Sequence, residues 1–217
     1  MTAIGEVFLV ALGDEALRLS APHLASLSER VSRQTATGVF YRAGCRAGRW
    51  AALARPMVGA SAVVTCYDTD VPFQVELSAT TDAAGRPVLH TTRRFRFAGG
   101  EQTLLDAVSP TGRQGELRSL LGARKRVEVI MHGTVTEDGA LALTSRSIAI
   151  RLGRLRVPLP RGLRPEIQVR DGWDAEHARR TIDMTARHPL AGTLLEYRGW
   201  FVPRPGRTTA AGAAQYE

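Results

Sequence analysis

The sequence has no long hydrophobic run, a single lysine, two cysteines and few aromatic residues. No stretch of about 18 uncharged apolar residues occurs in its 217, so no membrane-spanning helix is expected. The apolar run at residues 7–12 follows Glu6 and lacks a basic leader. That is unlike a secretory signal and points to a cytoplasmic protein. Cys45 and Cys66 form no CxxC pair and have no histidine at metal-ligand spacing, which reads as two reduced thiols. The five histidines, His23, His90, His132, His177 and His188, are scattered. No metal is expected. GxGxxG, GxxxxGK[ST], HExxH and GxSxG motifs are also missing, so no cofactor is expected and no catalytic constellation is evident.

The formal net charge is +8, and 28 of the 29 basic residues are arginine. They are spread along the chain, with dense stretches at residues 93–96, 124–126 and 151–164. No RNP-type aromatic motif, helix-turn-helix or zinc-finger spacing accompanies them. The charge therefore reads as a solvated basic surface, and no specific nucleic-acid partner is expected.

Hydrophobic periodicity supplies the architecture. Leu17, Ala21, Leu24, Leu27 and Val31 recur at helical steps, with Pro22 dividing or kinking the segment. A second helical segment is expected at residues 50–58, and a short strand at 39–41. From Val71 the period becomes two: Val71, Phe73, Val75, Leu77 and Ala79 share one face. Residues 88–97 return as a strand whose Leu89, Thr91, Arg93, Phe95 and Phe97 lie together. Residues 104–121 show no firm period and read as a loop with a short helix near 116–121. Further strands are expected at residues 126–136, 141–152, 155–159, 167–173, 179–187 and 194–202.

Helices before a run of strands, without βαβ alternation, predict an α+β fold. It would consist of N-terminal helical segments and a curved, mainly antiparallel sheet of about eight strands, a partial barrel. One domain is expected at residues 1–203, with a disordered tail at 204–217.

Asp138-Gly139 predicts a two-residue hairpin turn pairing Glu137 with Ala140. That register sets His132 opposite Ser145 and Met131 opposite Arg146, with Arg146 on the core-like face. Arg93 and Arg146 thus both fall among apolar neighbours, where an unpaired guanidinium is costly. Either each snorkels to water or pairs with a carboxylate such as Asp183 or Glu196, or both face a cavity and meet the anionic head of an amphipathic ligand. In the closing strand Tyr197, Gly199 and Phe201 share one face, and Arg198 and Trp200 the other. Tyr197 or Trp200 could stand at a pocket mouth, and Gly199 would permit close approach.

Residues 157–160 (VPLP), 163–165 (LRP) and 188–201 (HPLAGTLLEYRGWF) resemble bacterial domain of unknown function 4166, as does Arg93-Arg94-Phe95. The likeness covers roughly residues 15–203. The family occurs alone and attached to NAD(P)-dependent oxidoreductase-like domains, so the resemblance implies a possible oxidoreductase partner. No catalytic residues are established for that family, so the resemblance carries none over to this sequence. The expected function is non-catalytic binding of a small amphipathic or lipid-like ligand in the bent sheet. Its site would be drawn from Arg93, Arg146, His132, Ser145, Tyr197 and Trp200. The alternative is an enzyme or accessory domain acting with an NAD(P)-dependent oxidoreductase, with His132 and Ser145 as its adjacent polar pair.

Overall fold

The structure, a computed structural model, describes residues 2–46, 48 and 56–204. The fold is a closed ten-stranded antiparallel barrel rather than an α+β partial barrel, and more than half of the chain is strand. The strands are β1 (Arg33–Gly44), β2 (Tyr67–Thr81), β3 (Pro87–Phe97), β4 (Gly100–Pro110), β5 (Glu116–Leu121), β6 (Val127–Val135), β7 (Leu141–Leu152), β8 (Leu155–Pro158), β9 (Glu166–Asp174), β10 (Arg179–His188) and β11 (Gly192–Arg204). They order as β6-β5-β4-β3-β2-β1-β11-β10-β9-β7, and pairing of β6 with β7 closes the ring. β8 stands outside the ring as a hairpin on the far end of β7.

Two strands replace the loop and short helix expected at residues 104–121. Their periodicity is hidden because β4 is buried on both faces from Asp106 to Pro110, so polar and apolar residues do not alternate. The closing turn at one edge also holds Gly112 and Gly115, both at positive φ. Of the second expected helical segment, residues 50–55 lie outside the described residues, as do 205–217 of the expected tail. Arg204 is still part of β11.

Helix α1 (Glu6–Leu12), a 3-10 turn (Gly13–Arg18) and α2 (Ala21–Ser28) close one end of the barrel. Pro22 lies in the first turn of α2, where its missing N–H has no intrahelical partner to lose. It therefore starts the helix rather than kinking it. Val7, Ala11, Leu12 and Leu27 pack against inward residues of the strands, including Leu89, Val108, Leu117, Val135 and Leu141. Each large side chain so buried contributes roughly 1.5–3 kcal/mol. Two backbone bonds anchor this stopper: Gly115 N to Ala11 O at 2.6 Å and Ser20 N to Gly139 O at 3.0 Å.

On the side formed by β1, β2, β3 and β11 the interior is aromatic. Phe40 and Phe73 stack with centroids 3.8 Å apart, and Phe40, Phe95 and Tyr197 pack at 5.1–6.1 Å. Gly199 makes the close approach that its place between aromatics suggested. A Cβ there would lie 2.7 Å from Phe40 Cα and 3.0 Å from its ring.

The β6–β7 hairpin forms where expected, with a different register. Thr136 N bonds Ala140 O at 2.9 Å, so the loop holds three residues, 137–139, with Gly139 at φ +74°. Val135 consequently faces Leu141, and Met131 faces Ser145. A bulge then leaves Arg146 opposite no residue, and from Ile130–Ser147 onward the pairing matches the expected register.

Candidate functional site

In a closed barrel every second residue of each strand faces the interior. Tracing the pairing around the ring puts Thr91, Arg93, Asp106, Ser119, Ser145, Asp171, Arg180 and Tyr197 on the inner face. Two internal ion pairs organise them. Arg93 on β3 donates to Asp106 on β4, and Arg180 on β10 donates to Asp171 on β9, with a second bond from Arg180 Nε at 3.3 Å. Arg180 also lies 5.2 Å from the Phe201 ring centre. Tyr197 is buried close enough to Arg93, Asp106 and Asp171 to feel their charges.

Low polarity sets the ionisation. Burial lifts the Asp106 carboxyl above its ordinary range, against the pull of Arg93. Burial also works against the charge on Arg93, but the neighbouring Asp106 carboxylate outweighs it and holds the guanidinium above its usual value. Burial raises the Tyr197 hydroxyl, keeping it a neutral donor. His23 on α2 is completely buried, 3.6 Å from Asp171, and neither ring nitrogen has a hydrogen-bond partner within the protein. Burial lowers its pKa despite Asp171, so the ring is neutral at pH 7.

The interior is not completely covered. Leu77, Ile167 and Val169 pack against both the aliphatic and the aromatic clusters, so they mark the seam between them, and all three are only partly buried. Inward-facing Ile182 is partly buried too. Arg93, at the same seam, keeps 20% of its side-chain surface accessible while its partner Asp106 keeps 5%. Ile167 and Val169 border the place where β7 parts from β9, so their accessible surface opens at that gap in the wall. Ten strands enclose a wider interior than the eight that side chains can just fill.

The six residues singled out from the sequence divide by face. Arg93, Tyr197 and Ser145 point inward, and Arg93 and Tyr197 come together. Ser145 is fixed by accepting a bond from Ile167 N at 2.9 Å. Arg146 is exposed on its bulge rather than among core residues; its carbonyl accepts a bond from Arg164. His132 sits on the outer face opposite Thr144, so the hairpin register separates it from Ser145. Trp200 is also outside, with the Arg179 guanidinium 4.5 Å above its ring. The carboxylates expected to pair with the two arginines serve others: Asp183 bonds Arg198 at 3.3 Å and Glu196 bonds Arg46 at 2.9 Å.

Asp106, Asp171, Arg180 and His23 were missed. Asp106 sits in the stretch without visible period. Asp171 and Arg180 lie in strands the sequence does show, where alternation alone could have put them on the Met184 face. His23 carried no local signal. Asp174, Glu176 and His177 cluster at the β9–β10 turn, but the Asp174 carboxylate already bonds Arg179 and His177. That arrangement is a turn held by the Arg179–Asp174 ion pair and by hydrogen bonds from His177.

Residues 22–201 match the family model described as Domain of unknown function (DUF4166). The chain belongs to that family. The match takes in all eleven strands up to Phe201 together with α2 and His23, so the DUF4166 region includes both internal ion pairs. No curated protein matches the chain. Among the described residues no helix is long and apolar enough to cross a membrane.

Proposed function

We propose that this DUF4166 barrel binds a small amphipathic or lipid-like molecule in its interior. The observation that carries the reading is the seam: a polar cluster of Arg93, Asp106 and Tyr197 beside partly uncovered Leu77, Ile167, Val169 and Ile182. The apolar body would lie along the aliphatic side chains. Its polar end would meet the guanidinium surface left open by Asp106 and the neutral Tyr197 hydroxyl.

Two internal arginines are matched by two internal carboxylates, so the cluster has no surplus positive charge. A neutral or zwitterionic polar group suits it better than a bare anion, because a second anion would compete with Asp106 for Arg93. His23, buried with both ring nitrogens unpartnered, supports the same reading, since buried polar atoms ordinarily find a partner in protein, water or ligand.

The test is titration of the purified chain with a fluorescent amphipathic dye, beside Ile182→Trp. Filling the seam should abolish saturable dye binding while circular dichroism keeps its β signature. Equal binding by the two proteins would place the dye elsewhere and refute an interior site.

A further inference from the structure

The β7–β8 end of the barrel differs from the rest of the surface. Residues 151–164 contain five arginines, no acidic residue and no aromatic one. Leu152 faces Leu155 and Ile150 faces Val157 across the hairpin, so Leu152, Leu155 and Val157 share one side. All three protrude, 49%, 59% and 43% exposed, and Leu163 and Leu190 nearby are 55% and 84% exposed. On the opposite side Arg151 and Arg156 are tied to Glu128, which props the arm outward.

β7 pairs with β9 only from Leu141 to Thr144, and beyond Ser145 it turns to β8 instead. The divergence opens a groove of about 580 Å³ lined by Ser145, Arg161, Arg164, Glu166, Arg187 and His188. Glu166 is its single carboxylate. Among the described residues Arg146, Arg154, Arg161, Arg164 and Arg187 form no ion pair, although most other arginines of the barrel do.

We propose that this arm and groove dock the protein on an anionic phospholipid surface. Unpaired arginines would meet lipid phosphates and carboxylates, while the protruding aliphatic side chains enter the headgroup–acyl boundary. A nucleic acid would use the arginines but leave five exposed aliphatics in water, and the arm offers no aromatic ring on which bases could stack. An acidic protein would likewise satisfy only the charge. The proposal stands apart from interior binding, because no residue of the arm lines the seam.

The experiment is co-sedimentation of the full chain with phosphatidylcholine vesicles and with phosphatidylcholine–phosphatidylserine vesicles, at low and high salt. Binding is expected only to the anionic vesicles, weakening as salt rises. Replacing Arg154, Arg161 and Arg164 by Gln should reduce partitioning about a hundredfold, at roughly fivefold per arginine. Leu155→Ser with Val157→Ser should reduce it about tenfold with no change in melting temperature, since both side chains are exposed. Equal binding to neutral vesicles, wild-type partitioning by both variants, or binding of RNA or an acidic peptide in place of vesicles would each overturn it. Ile182→Trp separates the two proposals: it should lose the dye and keep the vesicles.

Discussion

The two ends of the barrel are built in opposite ways. At the β6–β7 turn end, α1, the 3-10 turn and α2 supply aliphatic side chains that complete the core, and His23 is sealed in among them. At the β7–β8 end the interior is aliphatic along β6 and β7 and aromatic along β3, where Phe95 and Phe97 lie, and the rim carries protruding leucines and unpaired arginines. A buried surface must satisfy its polar groups, so the stoppered end tolerates few and pairs nearly all of them. The rim is free of that constraint and accumulates charge of one sign. The seam between these regimes is where Arg93, Asp106 and Tyr197 meet incompletely covered aliphatics, which is why the proposed ligand is placed there.

The largest expected effect comes from breaking that seam. Arg93→Met leaves the Asp106 carboxyl buried without its partner and should cost about 3–5 kcal/mol at neutral pH by urea denaturation. Adding Asp106→Leu should recover most of the loss, because the uncompensated charge is then gone. No recovery would mean that Arg93 acts through packing rather than through its charge.

Next is the seat of the stopper. Gly139 has φ +74°, and a Cβ there would lie 2.5 Å from Ser20 N. Gly139→Val should destabilise by about 2–3 kcal/mol, combining backbone strain with a collision against the start of α2. Hydrogen exchange should show the loosening first in α2 and only later in the aromatic half. Uniform loosening would contradict the division into two regimes.

A smaller effect separates the ends by pH. Burial lowers the pKa of His23 in the folded protein below the ordinary 6.5. Between those two values the unfolded chain binds more protons, so stability falls as pH drops below about 6.5. His23→Leu should reduce this slope to the part contributed by His90, which burial lowers as well, and cost nothing at pH 8, since it deletes two unpartnered nitrogens. Melting curves from pH 8 to pH 5 measure it, and a slope unchanged in the variant would assign it to another group. The smallest effect is that of Arg146→Met, within about 0.5 kcal/mol, as for an exposed side chain without an ion pair.

Arg93 and Arg146 also show how far the sequence could be read. Both stand among alternating apolar residues, and in β3 the alternation is unbroken, so Arg93 faces inward as expected. In β7 two departures cancel each other. The 137–139 loop shifts the register by one, and the bulge at Arg146 shifts it back. Pairs beyond the bulge therefore match the expected register, while Arg146 and the His132–Ser145 pairing do not. The bulge shifts the inward positions from Leu141 and Leu143 to Ile148 and Ile150, but the polar run at residues 144–147 hides where the phase changes.

Strands β2, β3, β6, β7, β8, β9, β10 and β11 were legible because one face of each is mainly apolar. Closure was not legible: it depends on β1 meeting β11, far apart in the chain, and on β7 meeting β9 across the intervening β8 as well as its hairpin partner β6. The interior partners of Arg93 and Arg180 lie on neighbouring hairpin strands, but Asp106 was hidden by the missing period of β4 and Asp171 by an alternation that does not say which face is inward.

Native mass spectrometry of the protein purified without detergent tests the interior site most directly. The account predicts a noncovalent adduct of one small amphipathic molecule per chain, present in the wild type and absent from Ile182→Trp. Bare protein in both preparations, together with no saturable uptake of an amphipathic dye by the wild type, would contradict it.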